Sequence, residues 1–370
     1  AAPRPPFPRS LPLMTAVGLL GLALLPALAC EVTQAETAGK AAADFAPTTT
    51  AAAAGTVPRR VVGGVESGTI GVVTPPAVAS PRTDVIIEDD WRFTYVGQEE
   101  LVGAESFDFD DSEWETVSVP HTWNALDGMD GPLTTPAYAR GVGWYRRHYA
   151  IPAEREGQQL YLQFDAAAFL TDVWVNGTRV GTHAGGYARF RFDITEQAVV
   201  GGDNVIAVKV DNSQPVDPDG TNMIPGASTI DIAPLSGDFT MFGGIYRPVH
   251  VLATDALAVT PLDYASSGVY LTTSNVSADS ADLTATVKLL NASDTNRTAT
   301  VEIDLVAQDW NTVQTLSASA DVPPGSGEVV ETTDTGTEVT SAVVEVSGTV
   351  DSPHLWDGMA EPYVYYVNVT

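Results

Sequence analysis

The chain has 370 residues, with 18 Lys and Arg against 47 Asp and Glu, a formal net charge of −29. That length suffices for two ordinary domains with separate cores, and the acidity excludes binding to a phosphate backbone, which needs a basic surface. The single cysteine, Cys30, excludes a disulfide framework within the chain and any Cys-based zinc cluster.

In chain order, Arg4 and Arg9 precede an apolar run from Leu11 to Ala29, the pattern of an export signal. The run ends Ala27-Leu28-Ala29-Cys30, where small residues before a lone cysteine resemble a bacterial lipobox. The expectation for residues 1–30 is therefore a signal segment, with Cys30 lipidated as the mature N-terminus. The protein would then sit in the bacterial cell envelope, in the periplasm or at the outer membrane. Plain secretion and a retained membrane anchor are the alternatives. The first residue is Ala and not Met, so the chain reads as a fragment or a processed piece. Residues 31–84 are rich in Ala, Thr, Gly, Val and Pro without a stable period, and read as a flexible linker.

From about residue 86 the texture is one of short strands. Leu160, Leu162 and Phe164 alternate with Tyr161 and Gln163, while Ile206, Val208 and Val210 mark another strand. Asn176-Gly177 after Val173 and Val175 suits a type I′ hairpin turn. No stretch sustains a helical period, so 85–256 is expected to be an antiparallel all-β domain, a sandwich or jelly roll. A second set begins near Gly268: Leu283, Ala285, Val287 and Leu289, then Val301, Ile303 and Leu305, alternate with polar or small residues. This spacing over 257–370 predicts an immunoglobulin-like β-sandwich.

Several strings then stand in one order. Trp91-Arg92-Phe93 is followed by Phe109-Asp110-Asp111-Ser112-Glu113-Trp114, Val119-Pro120-His121-Thr122-Trp123-Asn124 and Gly141-Val142-Gly143-Trp144-Tyr145-Arg146. Val173-Trp174-Val175-Asn176-Gly177 and Asp238-Phe239-Thr240-Met241-Phe242-Gly243-Gly244-Ile245-Tyr246-Arg247 come next, and Ser352-Pro353-His354-Leu355-Trp356 closes the set. Over residues 86–370 this resembles the N-terminal half of glycoside hydrolase family 2, which holds β-galactosidases, β-glucuronidases and β-mannosidases. The resemblance implies a jelly-roll sugar-binding domain, an immunoglobulin-like domain and, in the family, a (β/α)₈ barrel after them. The two catalytic glutamates belong to that barrel, so no catalytic residue is expected in this chain.

The resemblance also implies site residues. Asp238 of the Asp-Phe string is expected to reach the sugar, because a carboxylate accepts hydrogen bonds from neighbouring hydroxyls. Asn124, Asp127, Tyr138 and Arg140 lie on a loop that the family uses to line the sugar site; Asn and Asp suit hydroxyls, and Tyr138 suits a sugar face. Trp114, Trp123, Trp144 and Trp174 sit in strand-like strings and are read as core and not as a sugar platform. His121 and His183 lack metal-ligand spacing, and Asp217-Pro218-Asp219-Gly220 lacks the rest of a calcium loop, so neither metal nor cofactor is expected. The functional expectation is the non-catalytic N-terminal portion of an exported family 2 enzyme acting on a β-linked oligo- or polysaccharide, with β-galactoside as the leading substrate. Its expected partners are the missing C-terminal barrel and the membrane through Cys30, with homo-oligomerisation left open and nucleic acid excluded. The alternative is a stand-alone surface lipoprotein that binds carbohydrate by itself.

Overall fold

A computed structural model describes residues 82–97, 99–127, 139–213, 242–327, 329–333 and 336–370. Cys30 with its apolar run, the linker to residue 81, Asp217–Gly220, Tyr138 and Asp238 lie outside the described residues.

The first domain is built from ten strands: β1 (Thr83–Ile86), β2 (Trp91–Gly97), β3 (Glu115–Val117), β4 (Val142–Ala150), β5 (Gln159–Phe164), β6 (Leu170–Val175), β7 (Thr178–Ala184), β8 (Phe190–Asp193), β9 (Asp203–Asp211) and β10 (Val249–Thr254). One antiparallel sheet runs β1-β10-β5-β8, the other β3-β2-β4-β9-β6-β7. Neighbours in space are rarely neighbours in sequence, the weave of a jelly roll. Strand alternation explains the core. Trp91, Phe93, Tyr145, Val173, Val175, Ile206, Val208 and Val210 face inward from one sheet, and Leu160, Leu162, Phe164, Phe190, Phe192, Val249 and Val251 meet them from the other. The β6–β7 hairpin turns at Asn176 (φ 51°) and Gly177 (φ 81°), the left-handed pair that a type I′ turn requires.

Strand β5 is buried on both faces, which its alternation does not announce. Tyr161, from its outward face, packs with Leu252 against Leu262 and Leu290 of the second domain. Arg191 lies beside it, nearly buried, and donates to the carbonyls of Pro261 at 2.5 Å and Ser266 at 2.8 Å. The two domains are thus joined by an apolar contact flanked by a cation bonded to backbone.

The second domain contains β11 (Leu257–Val259), β12 (Val269–Ser274), β13 (Ser280–Asn291), β14 (Arg297–Val306), β15 (Thr312–Val322), β16 (Val329–Thr333), β17 (Gly336–Val339), β18 (Ala342–Asp351) and β19 (Tyr366–Val369). Strands β11 and β12 lie in tandem along one edge of β13, with β18 along the other. The facing sheet is β15-β14-β19, and β16 and β17 form a separate hairpin. Ala285, Val287, Leu289, Val301, Ile303, Val344 and Val346 fill the space between the sheets. This is the expected immunoglobulin-like sandwich, so the described chain is all-β in both domains.

Candidate functional site

At one end of the jelly roll, the indole of Trp123 is seated on glycines. It lies nearly parallel to Phe93, with centroids 6.1 Å apart, and 5.6 Å from Tyr95. A Cβ at Gly143 would come within 2.7 Å of the indole, and a Cβ at Gly243 would overlap it. Gly244 (φ +124°) is held as tightly: a Cβ there would approach the His121 carbonyl at 2.5 Å and the Tyr145 hydroxyl at 2.6 Å. The Gly243-Gly244 pair is therefore close backbone packing under a tryptophan and not a phosphate loop. His121 Nδ1 lies 2.8 Å from the Tyr145 hydroxyl. Burial pushes the histidine pKa down and the phenol pKa up, so both groups stay neutral at pH 7.

Polar side chains tie the neighbouring loops to this seat. Asn124 is fully buried; its amide donates to the Ala139 carbonyl at 3.2 Å and its oxygen accepts from Gly243 N at 3.0 Å. The Trp123 ring nitrogen donates to the same Ala139 carbonyl at 3.1 Å. Asp127 accepts from Ala139 N at 2.5 Å. Arg140 Nε donates to the Asn212 carbonyl at 2.9 Å, while Asn212 Oδ1 accepts from Gly141 N at 2.9 Å. Burial lowers the Arg140 pKa, with Asp211 opposing, yet a guanidinium stays charged at neutral pH. Burial, aided by the charge of Asp127, raises the phenol pKa of Tyr95.

Three of the five expected sugar-site residues, Asn124, Asp127 and Arg140, therefore meet in one corner. The other two, Tyr138 and Asp238, lie outside the described residues, but the chain on either side of them is anchored here. Asp127 holds Ala139 across one stretch, and Asn212 and Gly243, tied through Arg140 and Asn124, flank the other. As placed, Asn124 spends its side chain on backbone, whereas Asp127 and Arg140 are only half-buried. The sequence reading missed Tyr95 and Asn212. The signal for Asn212 was present in Asp211-Asn212-Ser213, a polar triplet closing an apolar strand; Tyr95 looked like any strand aromatic. Of the tryptophans, Trp123 packs on the main core, Trp144 is buried beside Ala104 and Val142, and Trp114 and Trp174 pack partly buried around that second cluster.

The corner supplies a carboxylate, a guanidinium and two aromatic rings. These can bind and orient a polyhydroxylated ligand, and Asn124 and Asn212 fix the backbones that carry them. Among the described residues no group of three or more His, Cys, Asp or Glu side chains could hold a metal ion.

Comparison with known proteins places both domains. Residues 86–255 match the family model described as "Glycosyl hydrolases family 2, sugar binding domain", and residues 267–370 match "Glycosyl hydrolases family 2". The chain is 31% identical over 289 residues to a β-glucuronidase of Bacteroides fragilis, covering 78% of this chain and 35% of that protein. It is 29% identical over 301 residues to a β-galactosidase of Bacteroides ovatus, covering 80% of this chain and 30% of that one. A solved structure of Bacteroides uniformis β-glucuronidase 2, covalently bound to cyclophellitol-6-carboxylate aziridine, superposes with a TM-score of 0.63 at 30% identity, over 78% of this chain and 30% of that one. The chain thus spans about a third of the length of these relatives.

Proposed function

Since the chain belongs to glycosyl hydrolase family 2, we propose that it is the non-catalytic N-terminal portion of an enzyme that hydrolyses terminal β-glycosidic bonds. The observation that carries this reading is the unbroken order of two family 2 domains, shared with relatives that are themselves glycoside hydrolases. The bond-breaking pair of glutamates then lies on a barrel beyond residue 370, at the separation of about 5–5.5 Å that a retaining mechanism needs. The corner built on Trp123 contributes the sugar's outer contacts. Asp238 accepts from ring hydroxyls and Tyr138 covers a sugar face, with Asp127 and Arg140 as further polar contacts, while Asn124 fixes the loop ends. Export, with acylation of Cys30, places the enzyme in the cell envelope.

The leading substrate is a β-galactoside, from the Pro-His-Thr-Trp-Asn and Asp-Phe-Thr-Met-Phe-Gly-Gly strings. A β-glucuronide is the second reading, favoured by the names of the B. fragilis and B. uniformis relatives. The test compares aryl β-galactoside with aryl β-glucuronide hydrolysis by the 370-residue chain and by the protein extended through its downstream reading frame. Turnover by the extended protein and none by the chain supports the proposal. Turnover by the chain itself, or an extended frame with no barrel and glutamate pair, overturns it. Whichever aryl glycoside has the higher kcat/KM decides the sugar.

A further inference from the structure

An open cleft of about 660 Å³ lies on the outer face of the six-stranded sheet. Its floor is a row of side chains in register across adjacent strands: Trp144 on β4 opposes Lys209 on β9, and Lys209 opposes Asp172 on β6. One step along, Trp174 opposes Ala207, whose small side chain leaves room for the two indoles to stack, centroids 5.3 Å apart and planes 28° from parallel. Each residue of the row alternates with one that fills the core (Tyr145, Val208, Val173), so the period of two sends this row outward. Glu100, Leu101 and Glu105 stand along one wall.

Packing accounts for Trp144, which is 5% exposed beneath the 99–114 segment. It does not account for the rest. Trp174 is only partly covered and lines the cleft. Lys209, half-buried between an indole and a carboxylate, has no hydrogen-bond or ion-pair partner among the described residues; Asp172 bonds through Oδ1 to Arg179 at 2.5 Å and to Thr182. The other described lysine, Lys288, is held by Asp263 at 2.8 Å. An unpaired half-buried ammonium costs stability and suits a ligand that supplies acceptors.

We infer that this cleft binds a neutral oligosaccharide. A sugar ring stacks on the exposed part of Trp174, hydroxyls accept from Lys209, and other hydroxyls donate to Glu100, Glu105 or the free side of Asp172. The balance of charge selects the class. Glu99, Glu100, Glu105 and Asp172 outnumber Lys209 and Arg179 around the cleft, so a uronate or phosphate meets net repulsion, whereas hydroxyl groups use both signs. The volume falls within the range of small-molecule sites. The inference rests on the cleft alone and stands or falls apart from the hydrolase reading.

The test titrates the 370-residue chain with cellotriose and β-1,4-galactotriose, followed by tryptophan emission and calorimetry, with trigalacturonate as the acidic comparison. The expected result is saturable binding of at least one neutral sugar, with Kd between about 10 μM and 1 mM. Trp174→Ala and Lys209→Met each weaken it by roughly tenfold or more, and Trp174→Phe keeps part of it. Lys209→Met removes no stacked ring, so it decides the matter if Trp174→Ala melts early. No saturable binding of either neutral sugar up to about 10 mM overturns the inference. Wild-type affinity in both Lys209→Met and Trp174→Phe, or tighter binding of trigalacturonate than of the neutral sugars, overturns it equally.

Discussion

Trp123 and Gly243 hold each other: the Trp123 amide donates to the Gly243 carbonyl at 3.1 Å, and the indole occupies the space that a side chain at 243 would fill. Through this contact the strings around His121 and Gly244, far apart in sequence, share one position in space. Asn124, reaching Gly243 N with its oxygen, makes the second tie.

Gly243→Ala should therefore displace Trp123 and loosen the corner. Overpacking of this kind costs about 1–3 kcal/mol, or roughly 4–8 °C in Tm for about 2 kcal/mol in a domain this size. Thermal melting checks it, and tryptophan emission shifted to the red should accompany the loss. An unchanged Tm would mean that the seat is not tight.

Asp111 and Arg146 give a second prediction. Arg146 is fully buried and donates to Asp111 at 2.7 Å, and His148 Nε2 lies 3.0 Å from the same carboxylate oxygen. Burial opposes ionisation of Asp111, but the hydrogen bonds from Arg146 and His148 outweigh it and hold the carboxyl below its ordinary value of 3.8. A depressed carboxylate stabilises the fold above its unfolded pKa, and that contribution fades as pH falls through the lower folded value. Asp111→Asn should cost about 3 kcal/mol at pH 7 by leaving Arg146 without its counter-charge. The gap in Tm between variant and wild type should narrow progressively as pH falls below 3.8 and through the lower folded value, where the wild-type carboxyl also protonates. A gap that is constant across this range would exclude the ion pair as its source.

Arg191 carries the third. Its guanidinium, lowered to about 10 by burial and by Arg82 and Arg189, still donates to Pro261 and Ser266 across the domain boundary. Arg191→Ala leaves those carbonyls unpaired, at a cost of about 1.5–3 kcal/mol. Calorimetry should show one unfolding transition in wild type and two in the variant, with faster proteolysis near residues 255–268. A single transition at an unchanged temperature would show that Tyr161, Leu252, Leu262 and Leu290 suffice to join the domains.

The two β domains were legible because their strands alternate. Ile206, Val208 and Val210 face the core as their period requires, and Asn176-Gly177 makes the turn its backbone freedom allows. Two-sided burial of β5 was not legible, since Tyr161 is covered by Leu262 and Leu290, which lie about a hundred residues further on. The corner was legible in part. Asn124, Asp127 and Arg140 come together, but that Asn124 serves backbone and not solvent depends on Gly243, more than a hundred residues away. The cleft around Trp174 was hidden for a related reason. Its strand string reads as core, and only the placement of β9 sets Lys209 beside it.

The proposed sugar site is tested most directly at Asp238, in the protein extended through its downstream reading frame. In the proposed role Asp238 binds the sugar and does not break the bond, and a contact that tightens as the ring distorts toward the transition state acts on kcat/KM. Losing a charge-assisted hydrogen bond costs roughly 1.5–3 kcal/mol, a factor of about 10 to 150. The expected result is a fall of that size in kcat/KM for Asp238→Ala on the preferred aryl β-glycoside, a smaller fall for Asp238→Asn, and an unchanged Tm for both. An unchanged kcat/KM in Asp238→Ala, or a loss of activity that merely follows a large drop in Tm, would contradict it.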